Sequence, residues 1–148
     1  MASLPPEHGV FITGTGSISA IGWDARSVVE GYRTPGTRLR PREQGGRLTP
    51  VGALSDSAER HLAAFLAARP RYAELDRSVQ LATYAAHQAA ERAGWQMTAD
   101  ACVLVGSSRG ATGLFERYHA DFLANAEGKT APLTSPTTTL GNISNWVA

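Results

Sequence analysis

The chain has a single cysteine, Cys102, among its 148 residues. No internal disulfide framework can form, which fits a reducing, cytoplasmic setting. Charge of one sign is equally scarce. Fourteen basic residues stand against thirteen acidic ones, a net charge of +1, so long-range electrostatics give no case for a nucleic-acid or membrane partner. No apolar run approaches the roughly 20 residues of a membrane-spanning helix, and Met1 to His8 has neither a basic region nor an apolar signal core. The histidines His8, His61, His87 and His119 are scattered, without His-x-x-x-His or Cys–His spacing, so no metal site is expected. What is present, 43% hydrophobic residues in 148, suits one soluble domain with its own core, and not two.

The most informative segment is Val10-Phe11-Ile12-Thr13-Gly14-Thr15-Gly16, followed by small apolar residues to Gly22. It reads as a buried strand delivered into a glycine turn. A dinucleotide-binding turn would need a third glycine where Ser19 stands, a helix starting at the glycines, and an acidic residue about 20 positions on. Gly22 comes three residues late, and the stretch from Arg33 to Arg42 contains no acid. The glycines therefore turn the chain and hold no pyrophosphate, and no cofactor is implied.

Along the rest of the chain, Trp23 to Tyr32 reads as a short helix with Asp24 near its start. Residues 33–57 read as a solvated loop rich in arginine, proline and glycine, with one possible strand at Thr49 to Leu54. Residues 58–68 form a brief helix before Pro70. The strongest helix is 76–93, with Asp76 as N-cap, Gly94 as stop, and Val79, Ala82, Ala86, Ala89, Ala90 and Ala93 on one face. So many alanines imply very close packing against a sheet or another helix. Ala101 to Val105 is a continuous apolar run, expected to be a central strand covered on both faces. A second small-residue turn, Gly106 to Gly113, leads into a helix at Leu114 to Asn125. A polar loop then runs to Pro136, and Thr137 to Ala148 opens another apolar stretch. Strand–turn–helix units in this order predict a layered α/β fold.

Among chemically capable residues, Cys102 sits between alanine and valine, as a small buried apolar residue does. Gly106-Ser107-Ser108-Arg109-Gly110 matches the Gly-x-Ser-x-Gly pattern of a nucleophile elbow, with Ser108 in the nucleophile position. A small α/β hydrolase using Ser108 is thus one alternative. Only His119 follows it, too soon for the intervening strands that carry the other triad members.

Taken together, the chain resembles the N-terminal part of a β-ketoacyl-acyl-carrier-protein synthase of the thiolase superfamily. The resemblance is carried by Val10 to Gly16 with Ile21-Gly22, by Leu75-Asp76-Arg77 with Gln80 opening the alanine-rich helix, by Val103 to Gly106 with Gly110 and Gly113, by Ser135-Pro136, and by Asn145-Trp146-Val147-Ala148. It implies a thiolase-like layered α/β fold of which residues 1–148 are the N-terminal portion. It also implies decarboxylative condensation of an acyl thioester with a malonyl-type unit, in fatty acid, polyketide or related polyene synthesis, with acyl carrier protein as partner of the intact enzyme. The family's nucleophilic cysteine and catalytic histidines lie beyond the segment matching Asn145 to Ala148, so no catalytic residue carries over and the isolated chain is expected to be inactive. Acyl-pocket positions carry over onto Arg109, Thr137 and Thr138. An arginine and a Thr137-Thr138-Thr139 run, where the family often has apolar and aromatic residues, point away from long saturated acyl chains. Self-association, or dependence on a C-terminal half, is expected of such a portion, because a cut sheet leaves an edge and an apolar face uncovered. The other alternative is a non-catalytic partner subunit that shapes a ketosynthase dimer.

Overall fold

The computed structural model describes residues 9–95, 101–125, 137–139 and 141–148. The expectations for His8, the polar loop up to Pro136 and the Ser135-Pro136 pair lie outside them. In chain order the elements are α1 (Ala25–Arg33), β1 (Arg40–Gln44), β2 (Arg47–Val51), α2 (Asp56–Ala67), a 3₁₀ turn (Pro70–Tyr72), α3 (Arg77–Ala93), α4 (Thr112–Ala124) and α5 (Asn142–Val147). Helices with a two-stranded antiparallel sheet make this a mixed α/β chain. None of the described helices is long and apolar enough to cross a membrane.

Helix ends follow local chemistry. Asp24 caps α1 in a reciprocal box with Ser27: the Ser27 N–H donates to the carboxylate at 2.7 Å, and the Asp24 N–H donates to the Ser27 hydroxyl at 3.1 Å. The Ser27 hydroxyl, donating to the same carboxylate at 2.5 Å, and then the Ser27 N–H hold the Asp24 carboxyl below its usual range. Ser55 caps α2, accepting from the Ala58 N–H at 3.2 Å. Gly94 ends α3 with φ of 59°, the left-handed conformation that glycine adopts without a Cβ clash. Ala111, at the start of α4, has no capping side chain of its own.

Helix α3 organises the described structure. Tyr72, Leu75 and Val79 form the core with Ile143 of α5, and Phe65, Leu66, Ala82, Trp146 and Val147 close around them. On its alanine face, α3 receives the glycine segment at backbone contact. A Cβ on Gly16 would lie 1.8 Å from the Ala85 carbonyl oxygen, and one on Gly14 would lie 2.2 Å from that of Ala89. Gln88 clamps the same segment, accepting from the Ser17 N–H at 3.2 Å and donating to the Trp23 carbonyl at 2.7 Å. Arg92 donates to the Thr15 carbonyl at 2.9 Å. The expected close packing of the alanine face is present, and its partner is the glycine turn.

Four expectations are corrected. Val10, Phe11 and Ile12 belong to no strand and are exposed, Val10 at 99%. Ala101 to Val105 likewise belongs to no strand, and Leu104 is 91% exposed. The apolar sequence of both segments suits burial, but among the described residues neither meets a pairing strand. Cys102 is exposed and not buried. Val103 and Ala101 face the cavity described below while Cys102 alternates away from it, as the two-residue period of extended chain requires. Finally, the arginine-rich stretch read as a loop forms the β1–β2 ribbon, which also places the expected 49–54 strand at Arg47–Val51.

Candidate functional site

Asp76 joins two helices. It is buried, 7% exposed, and its Oδ1 accepts from the Ser78 N–H at 2.8 Å and from the Ser78 hydroxyl at 2.6 Å. Its Oδ2 accepts from the Leu114 N–H at 2.9 Å, so the cap of α3 also caps α4. Burial pushes the carboxyl's pKa up, but the hydrogen bonds from Ser78, Leu114 and Gly113 together outweigh it and hold the pKa below the usual value. Ser78 extends the link, its hydroxyl proton shared between the Asp76 carboxylate and the Gly110 carbonyl, 3.1 Å from Oγ. The turn before α4 is therefore tied to the N-terminus of α3 from both sides.

Beyond the core, α3, the segment after it and α5 enclose a mostly apolar cavity of about 260 Å3. Thr83, Ala86, His87 and Ala90 form its α3 wall, Trp95, Ala101 and Val103 one flank, and Trp146 and Val147 the other. The alanines leave the space, and the two indoles bound it. Thr83 is not available as a donor, because its hydroxyl turns back to the Val79 and Gln80 carbonyls at 2.9 and 3.0 Å. His87 is the titratable group on the wall. Burial first, and then the neighbouring Arg69 and Arg71 guanidiniums, push its pKa below the usual histidine value, against a weaker opposing pull from Glu91. Its Nε2 lies 3.5 Å from the Tyr72 hydroxyl, which also accepts from the Arg71 guanidinium. A largely neutral imidazole in an apolar wall can hold an apolar group and supply one hydrogen bond. It has no nucleophile beside it on that wall.

The residues singled out by sequence lie elsewhere. Arg109 is exposed, with its carbonyl accepting from the Thr112 hydroxyl at 3.1 Å, so its guanidinium is not a buried charge. Thr137 and Thr138 are helical and half-buried. None of the three lines this cavity. Ser108 is exposed on a bend, four residues before α4 begins, and no described strand precedes it. His119 stacks its ring parallel to Phe115 at 6.4 Å. The strand-to-helix elbow that would raise Ser108 as a nucleophile is therefore not formed among the described residues. Sequence reasoning passed over Asp76 as a bridge and His87 as a cavity wall. The signal for Asp76 was its place as an N-cap, and what it joins became visible only in three dimensions. A scan against protein-family models matches none of them, and no curated protein sequence matches the chain.

Proposed function

We propose that residues 1–148 are the N-terminal portion of a ketosynthase-like acyltransferase with a thiolase-like layered fold. In such an enzyme a cysteine thiolate takes the acyl group from its thioester. The malonyl-type unit loses carbon dioxide, and the resulting enolate attacks the acyl thioester, releasing the thiolate. The carrier of both thioesters would be acyl carrier protein. No residue of this chain is assigned to those steps.

One observation supports the reading most. The described segments that carry the resemblance are scattered over nearly the whole sequence, yet they meet around one helix. Gly14 and Gly16 lie on the backbone of α3, Asp76 caps α3 and reaches the turn containing Gly110 and Gly113, and Trp146 and Val147 pack against the core at Tyr72 and Val79. A second observation concerns what is uncovered. Val10, Phe11, Ile12 and Leu104 are exposed apolar residues, the first three of β-forming type, on segments that border α3. Such residues call for strands from a C-terminal half, from a partner ketosynthase subunit or from a second copy.

Two assays test this. The isolated chain, incubated with an acyl thioester and malonyl thioester, is expected to release no carbon dioxide and form no condensation product; turnover would overturn the assignment of the chemistry to residues outside the chain. Sedimentation velocity is expected to show self-association, and a stable dilute monomer would contradict the argument from the uncovered apolar segments.

A further inference from the structure

The β1–β2 ribbon stands apart from the core and carries a single-sign face. Its register pairs Arg40 with Val51, Arg42 with Thr49 and Gln44 with Arg47. Directly paired residues share a face, so Arg40, Arg42 and Arg47 occupy successive rungs of one side, about 6.8 Å apart along the strands. Their neighbours on that face, Val51, Thr49 and Gln44, are uncharged, while Glu43 lies on the opposite face with Leu48. All three arginines are exposed. Among the described residues the ion pair is Arg77 with Glu59, and no carboxylate pairs with the ribbon arginines.

The ribbon's edges close off another mode of binding. Pro41 stands opposite Pro50, and neither has an N–H. They can form only a non-hydrogen-bonded pair, with both missing donors on the outer edges. The missing donors hinder addition of a further strand along either edge, which favours recognition through the guanidiniums. Gly45 and Gly46, with φ of 56° and 77°, supply the two left-handed residues that a type I′ turn requires and so fix the register that aligns the arginines.

We propose that this face docks an extended acidic segment of a partner protein, with carboxylates at alternate residues matching the guanidinium spacing. This goes beyond the ketosynthase-like reading and stands without it. Carboxylates accept the planar bidentate fork of arginine. A nucleic acid is disfavoured because residues 33–57 contain no aromatic stacking platform and the chain's net charge is only +1. A lipid surface is disfavoured because residues 33–57 contain no aromatic anchor.

The test is fluorescence anisotropy at low salt with the full chain and three labelled probes: a Glu-Ser repeat of about twelve residues, a dT oligomer of equal charge, and phosphatidylserine vesicles. The repeat peptide is expected to bind more tightly than either other probe. Changing Arg40, Arg42 and Arg47 together to Ser is expected to weaken it about tenfold, the sum of three modest surface pairs. The charge-matched control, Arg26→Ser with Arg60→Ser and Arg117→Ser at exposed positions of α1, α2 and α4, is expected to bind as the parent does. Gly45→Val with Gly46→Val keeps every charge but breaks the turn, and it too is expected to weaken binding several-fold. Parent-like binding by the triple variant or by the turn variant would overturn the proposal, as would equal or tighter binding of the dT oligomer or the vesicles.

Discussion

Removing the Asp76 carboxylate should uncouple α3 from α4, and its cost follows from the geometry. In Asp76→Ala, the Ser78 and Leu114 N–H groups lose their acceptors together. Each lost cap costs about 1 kcal/mol, and a buried donor left unpaired adds about 1–3 kcal/mol. The expected loss is about 3–5 kcal/mol, a large part of the about 5–15 kcal/mol typical of a whole domain. Asp76→Asn keeps one acceptor and turns an amide N–H toward one of the two donors, so about half of that loss is expected. Urea unfolding followed by far-UV circular dichroism reads both. With a slope of about 1–3 kcal/mol per molar urea, Asp76→Ala should lower the midpoint by at least about 1 M. The pH dependence gives a second reading. The folded pKa lies below the ordinary 3.8, so the carboxylate's contribution is complete above that value and is lost as pH falls through the lower folded pKa. The gap between parent and Asp76→Asn should therefore be constant near neutrality and narrow in acid. A loss below about 0.5 kcal/mol in Asp76→Ala, the scale of an ordinary surface substitution, would refute the bridging role.

Other consequences are as specific. Gly16→Ala forces a methyl into the Ala85 carbonyl and should destabilise by about 3 kcal/mol, the upper end of overpacking costs. Gly106→Ala, where a Cβ meets nothing within 4 Å, should be far milder; comparison of urea midpoints checks both. His87 has a folded pKa below its ordinary 6.5, so its neutral form favours folding. Stability should fall as pH drops below that value toward the folded pKa, and His87→Gln should remove that slope in pH-dependent unfolding. Cys102, being exposed, should react with a thiol reagent in the native protein as fast as after unfolding.

How much of this was legible in the sequence varies with the range of the interaction. Helix ends are local chemistry: Asp24, Asp76 and Gly94 announce their caps within three residues, and α3 begins and ends where they place it. The Ser55 cap, which starts α2 at Asp56, two residues before the expected 58, was not read. The glycine turn was legible as a turn, and the alanines of α3 as a close-packed face. That each is the other's partner is a contact across some 70 residues, which no local pattern encodes. The ribbon was obscured because arginine and paired prolines argue against strand; its signal was Gly45-Gly46 between two five-residue segments. Val10 to Ile12 and Ala101 to Val105 carry strand-like composition, but composition reports what a segment suits and not what covers it. Cys102 followed that same error, since an apolar run does not say which of its alternating faces is turned outward. At the site, the small cavity wall of Ala86 and Ala90 was visible as helix periodicity, while the enclosure of His87 depends on α5, more than 50 residues away.

The most direct test of the ketosynthase-like assignment is intact and peptide mass spectrometry of the protein expressed from the complete reading frame, after incubation with an acyl thioester. The expected result is an acyl adduct on a cysteine downstream of Ala148 and none on Cys102. An adduct on Cys102, or no adduct on any cysteine, would contradict it.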